Sequence, residues 1–211
     1  NTFGNMYIWS VRDEYSYCIE DNVLYFGLIT DKVADFYFPI GYMDIKKSLD
    51  KLVDYCKENK LELNFSFLTP TEAEMLKNHF GESVIIKEDR DWADYLYNYE
   101  DLLYLKGKKY NGQRNHINKF MRNYPNHEFV PYDMSMYEET LEFVENHFAS
   151  LKKLNQWLID EKHIMVTKLL PKFPILGQTG GVLKIDGKIA GIAFGEILGD
   201  TLYVHFEKAS R

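Results

Sequence analysis

Residues 180–208 read GGVLKIDGKIAGIAFGEILGDTLYVHFEK, and the two turns inside that stretch decide how the second half of the chain folds. Asp186-Gly187 suits a two-residue type I′ hairpin, whose two central positions both take positive φ. Gly199-Asp200 supplies a second turn. The runs at 182–185, 188–194 and 201–208 are rich in β-branched and aromatic residues, so the stretch predicts a three-stranded antiparallel meander. Gly180-Gly181 and Gly187 read as strand-entry and turn positions rather than as a phosphate loop.

Upstream, a helical pattern over 156–170 is ended by Pro171. Before it, Ser135 and Glu138 have the spacing of a capping box, opening a helix whose Tyr137, Leu141, Val144 and Phe148 share one face. A short strand at 128–130 precedes that helix. The second half is therefore strand, helix, helix and three meandering strands.

The first half has its own signals. Runs at 15–20 and 23–29 flank Asp21-Asn22 as a hairpin, and a short strand at 36–38 ends at Pro39 and Gly41. Ile45, Leu49, Leu52, Val53 and Cys56 form the stripe of a helix packed on one face. Residues 61–68 alternate as a strand. Thr69-Pro70-Thr71-Glu72 then combines an N-cap, a first-turn proline and a capping-box glutamate for a helix running to about Phe80. Strands are expected at 84–87 and 95–97, on either side of the acidic EDRDWAD.

Between these halves, residues 106–122 read KGKKYNGQRNHINKFMR, with six Lys or Arg and no acidic residue in a chain of formal net charge -7. Such a segment suggests a face reserved for an anion. On a helix, Tyr110, Gln113, Ile117, Phe120, Met121 and Tyr124 fall on one side and Asn115, Lys119 and Arg122 on the other, so the apolar side is expected to dock. The candidate anion contacts are Lys108, Lys109, Arg114, His116 and Lys119, with Arg114 the one suited to bidentate binding.

The 211 residues, 45% hydrophobic and 16% aromatic, allow one large core or two small ones. No apolar run approaches the ~20 residues that span a bilayer, and the start has no leader pattern, so a soluble, cytoplasmic protein is expected. Cys18 and Cys56 stand far apart and read as buried thiols rather than a disulfide. The six His show no ligand spacing, so no metal is expected. A start without Met and an end at HFEKASR, directly after a strand, read as the ends of a fragment.

The order of elements in the second half resembles the opening of the Gcn5-related acyltransferase fold, and the first half resembles the later portion of the same fold. The expected class is α+β: tandem Gcn5-related N-acetyltransferase-like domains with mixed, mostly antiparallel sheets flanked by helices, the second truncated at its C-terminus. The expected boundaries are a first domain at 1–97, a basic helical connector at 98–126 and a second domain at 127–211.

Several phrases together resemble the C-terminal domain family of bacterial phosphatidylglycerol lysyltransferases and its soluble relatives. They are Thr2-Phe3 with Asn5, Tyr7 and Trp9; Phe38-Pro39-Ile40-Gly41; LKGKKY from Leu105 with Arg114-Asn115-His116-Ile117-Asn118 and Phe120; Gly180-Gly181-Val182-Leu183; and His205-Phe206-Glu207-Lys208-Ala209. That family is similar in architecture to the Fem aminoacyltransferases.

The resemblance implies transfer of an acyl group, favouring an aminoacyl group carried by aminoacyl-tRNA, to an amine or hydroxyl acceptor. It also implies a cleft beside the fourth strand of the second domain, at 201–208. There His205 and Glu207, two residues apart, are expected to face the same side with Tyr203, and Glu196 is the candidate base. No cofactor is required. An acyl-CoA donor is the alternative, with a Gly-rich pyrophosphate loop that would lie beyond Arg211; in the first domain Pro39-Ile40-Gly41-Tyr42 lacks that pattern, and a scaffold or acceptor-binding role is expected there. A third reading keeps the fold as a non-catalytic module that binds an anion or nucleic acid. No protein partner is implied.

Overall fold

The computed structural model describes residues 2–12, 14–41 and 44–210. Tyr42, at the end of the Pro-Ile-Gly-Tyr phrase, and Arg211 lie outside the described residues. The chain divides into two compact units: Asp13–Leu96, and a larger one that joins Asn1–Arg12, carrying helix α1 (Phe3–Trp9), to Tyr97–Arg211. Asn1–Arg12, grouped with the first domain on sequence, belongs instead with the C-terminal half. Burial explains the change, since Ile8 is fully enclosed in the larger unit's core and would forfeit about 1.5–3 kcal/mol if left in water.

In the smaller unit β1 (Tyr15–Glu20) and β2 (Val23–Ile29) form the expected hairpin, with Asp21 and Asn22 at φ of 51° and 60°. β3 (Val33–Phe36) pairs antiparallel with β2 and lies slightly earlier than its sequence signal, while β4 (Ile40–Gly41) also pairs with β2. Helix α2 (Ile45–Asn59) then carries the chain across so that β5 (Glu62–Phe65) runs parallel to β3, as a crossover permits. Leu52 and Cys56 of α2 meet Val23, Tyr25, Ala34 and Phe36 of the sheet in one core. Helix α3 (Pro70–Phe80) starts with the predicted capping box: the Glu72 amide donates to the Thr69 hydroxyl at 3.3 Å, and the Thr69 amide donates to the Glu72 carboxylate at 2.7 Å.

Two expected strands do not form. Residues 84–87 and 95–97 are irregular backbone, and Ile85, Tyr95 and Leu96 are largely exposed. A β-prone run becomes a strand only where a neighbouring strand receives it. Cys18 is exposed on β1, whereas Cys56 is buried and its thiol is pushed above the ordinary range by desolvation.

The larger unit contains α4 (Tyr99–Tyr104), α5 (Asn111–Asn123), β6 (His127–Pro131), α6 (Tyr137–Ala149) and α7 (Gln156–Ile164). The meander follows as β7 (Gln178–Ile185), β8 (Lys188–Leu198) and β9 (Thr201–Ala209), in an antiparallel sheet ordered β6-β7-β8-β9. Asp186 and Gly187 take φ of 50° and 79°, as the type I′ turn requires. The sheet's Val182, Ile192, Phe194 and Phe206 pack with Ile8, Phe148 and Ile164.

Local details differ from the sequence signals. The Ser135 capping box does not form; Asp133 accepts from the Ser135 amide at 2.7 Å, and a short 3₁₀ turn precedes α6. The helix expected over 156–170 breaks into α7, a π-helical turn at Met165–Leu169 and a 3₁₀ turn at Leu170–Lys172 that contains Pro171. Among the described residues no helix is long and apolar enough to cross a membrane.

Candidate functional site

Strand register in the larger unit sets three polar side chains in a row. Gln178 on β7 faces Glu196 on β8, and Glu196 faces Tyr203 on β9. Directly paired residues share a face, so the row lies across one side of the sheet. Just beyond it the register passes from Gly195↔Val204 to Phe194↔Phe206, leaving His205 without an opposite residue. This is a β-bulge, and it breaks the alternation of β9. A Cβ on Gly195 would sit 2.1 Å from the Tyr203 carbonyl oxygen, so the bulge closes only over a residue that has none.

The bulge corrects one expectation. His205 and the adjacent Phe206 both turn inward, and Glu207 faces solvent instead of sharing a cleft with His205. The other two candidates are brought together: His205 Nε2 lies 3.9 Å from Glu196 Oε2, with the side chains 6% and 10% exposed. Gln178, which the sequence reading missed, donates through Nε2 to Glu196 Oε2 at 2.7 Å. Its only advance signal was its register opposite Glu196, which requires knowing the pairing.

Helix α1 covers this cluster. The Gly4 amide donates to the Glu196 carboxylate, and a Cβ at Gly4 would fall 2.0 Å from Glu196 Oε2. Burial raises the Glu196 pKa, with the Gly4 and Gln178 hydrogen bonds acting against it. Burial also lowers the His205 pKa to about 4, so the imidazole is neutral near neutral pH. Two buried polar atoms here have no hydrogen-bond partner among the described residues, His205 Nε2 and Gln178 Oε1. Unmet groups of this kind are uncommon in folded proteins and call for an occupant or a role.

The basic segment is arranged differently from its helical projection. Lys108 and Lys109 lie in a 3₁₀ turn ahead of α5, and none of the described residues of α5 is buried, so its apolar side is not docked: Ile117, Met121 and Tyr124 are exposed. Of the five anion candidates, Lys108, His116 and Lys119 are exposed and make no ion pair among the described residues. Lys109 is paired with Asp101 at 3.1 Å.

Arg114 holds its own backbone. Its guanidinium donates to the Gly107 carbonyl at 2.9 Å and also to the Leu105 carbonyl and the Asn111 side-chain oxygen. Leu105 sits in the left-handed region at φ 47°, where a branched residue needs support from its surroundings. Arg114→Ala is expected to cost about 1–2 kcal/mol and to accelerate amide exchange at 105–111 before the rest of the unit. Unchanged protection there would show that the guanidinium is not the clasp.

The sequence model of the family described as phosphatidylglycerol lysyltransferase, C-terminal, matches residues 1–211. The chain belongs to that family. A conserved protein of unknown function from Bacteroides thetaiotaomicron VPI-5482 is similar over 99% of this chain and 71% of its own, at 30% identity and a TM-score of 0.89. The C-terminal domain of a protein named as a lysylphosphatidylglycerol synthetase, from Agrobacterium fabrum, matches at 15% identity and a TM-score of 0.60, over 100% of this chain and 65% of that one. L-PGS from Bacillus licheniformis matches at 15% identity and a TM-score of 0.57, over 93% of this chain and 58% of that one. The last two likenesses establish shared fold. The chain spans less than two thirds of either of those proteins. No curated protein matches.

Proposed function

We propose that this lysyltransferase-family chain is part of an aminoacyltransferase that moves an aminoacyl group from aminoacyl-tRNA to a hydroxyl or amine acceptor, with each unit an acyltransferase-type module. Family membership supports transfer in general. The observation that carries the location is the pair of unmet polar atoms, His205 Nε2 and Gln178 Oε1, beside the Glu196 carboxylate.

In this reading the acceptor's hydroxyl or amine lies against His205 Nε2, with the proton it will lose directed at Glu196. Its oxygen or nitrogen attacks the aminoacyl ester carbonyl, and the proton it loses passes to Glu196, whose raised pKa makes it the better acceptor of the two. Collapse of the tetrahedral intermediate breaks the ester C–O bond, and the same proton returns to the departing ribose oxygen. His205, too weak a base at about pH 7, acts as a neutral orienting group. Glu207 has no part in the step. Lys108, His116 and Lys119 are available to the donor's phosphates, a contact that would weaken with salt.

The test uses the complete natural protein with lysyl-tRNA and phosphatidylglycerol micelles or a small primary amine, following transfer of the labelled aminoacyl group. Glu196→Gln and His205→Gln should each lower the rate about a hundredfold with folding intact. Full activity in both variants would remove the site assignment, and absence of transfer by the wild type would remove the donor assignment. In that second case, transfer from an acyl-CoA would establish the alternative donor.

A further inference from the structure

A second cluster lies around Tyr7, half-buried one turn along α1 from Gly4. Tyr7 follows Gly4 by three residues, so the two point in similar directions along the helix, about 4.5 Å apart on its axis. Lys168 and Lys172 converge on Tyr7: their ammonium nitrogens lie 5.1 and 4.8 Å from the ring centroid, and Lys172 also donates to the phenol oxygen. Phe3 stacks with the same ring, the two centroids 6.3 Å apart.

The chain carries 32 acidic residues against 25 Lys and Arg, so a lysine that wants a carboxylate has many to choose from. Lys47, Lys51, Lys57, Lys109, Lys162, Lys184 and Lys208 find one, and the other lysines make none among the described residues. What sets Lys168 and Lys172 apart is that these two unpaired cations, four apart in sequence, share one ring, where like charges repel. Lys168 is carried by the π-helical turn at Met165–Leu169, a backbone irregularity found frequently at functional sites. Leu169 and Leu170 beside it are fully buried, which holds the segment in place.

We propose that Tyr7, Lys168 and Lys172 form a phosphate-binding site, with two ammonium groups and one phenol O–H as donors to a single phosphate group. The site stands whether or not the chain transfers acyl groups. A bound phosphate relieves the repulsion between the lysines and gains charge-assisted hydrogen bonds, which neither the ring nor bulk water supplies as well.

The experiment titrates the isotope-labelled protein with inorganic phosphate, glycerol 3-phosphate and adenosine 5′-monophosphate at constant ionic strength, reading amide shifts. Saturable shifts should centre on Tyr7, Lys168 and Lys172. Lys168→Gln with Lys172→Gln should weaken binding by about tenfold or more, and Tyr7→Phe, which keeps the ring, should weaken it less. Tighter binding of the nucleotide assigns the phosphate to a nucleic-acid end, tighter binding of glycerol 3-phosphate assigns it to a lipid-type headgroup, and equal binding assigns the site to phosphate itself. Absence of saturable shifts, or equal affinity in a double variant whose spectrum remains that of the folded protein, overturns the proposal.

Discussion

Lys208→Met is expected to destabilise the protein by about 3–5 kcal/mol. Lys208 Nζ lies 2.7 Å from Glu161 Oε1, with the two side chains only 16% and 11% exposed, so the pair ties β9 to α7 in a largely dry setting. Removing the ammonium leaves a carboxylate that water barely reaches. Glu161→Gln should cost a similar amount for the mirror reason. The double variant Glu161→Leu, Lys208→Met should recover most of the loss, because a well-packed apolar pair replaces two desolvated ions. Chemical denaturation of the four proteins at one pH reads the coupling directly. Losses that simply add would show that the two charges do not depend on each other.

The second large effect is a loss of stability in acid. Burial moves the His205 pKa from 6.5 down to about 4, so between those values the unfolded chain takes up a proton that the folded chain refuses. A depressed pKa on a base makes stability complete above about pH 6.5 and erodes it as pH falls toward 4, by about 3 kcal/mol in total. Glu196, the titratable group facing it, works in the opposite direction: its raised pKa favours the protonated folded form, so its contribution falls as pH rises. The two are separable by substitution. His205→Gln should flatten the acid limb of the stability profile while leaving the Glu196 contribution, and an unchanged acid limb would place the proton uptake elsewhere.

What the sequence made legible was local. The Asp21-Asn22 and Asp186-Gly187 hairpins and the Thr69–Glu72 capping box each depend on residues within a turn of one another, and each formed as read. What stayed hidden depends on distant partners. Nothing near Thr2 announces that α1 packs beneath Glu196, and nothing near Gln178 announces its carboxylate neighbour. Strict alternation along β9 sets Glu207 beside His205, but the bulge breaks that alternation, and its local hint, Gly195, sits on the neighbouring strand. Lys109 and Arg114 looked like free cations because composition records charge but not the Asp101 and carbonyl oxygens that fold back onto them.

The placement of α1 has a consequence for synthesis. The ribosome makes this helix well before the strand that receives it, with a complete intervening unit produced between them. At ordinary elongation speeds the nascent helix waits on the order of ten seconds or more for its seat, too short in isolation to persist as a helix and exposing Ile8 and Trp9 meanwhile. The smaller unit can finish folding during translation, while the core around Ile8 closes only after β8 and β9 emerge, which makes that interval the stage at which a chaperone would be most needed.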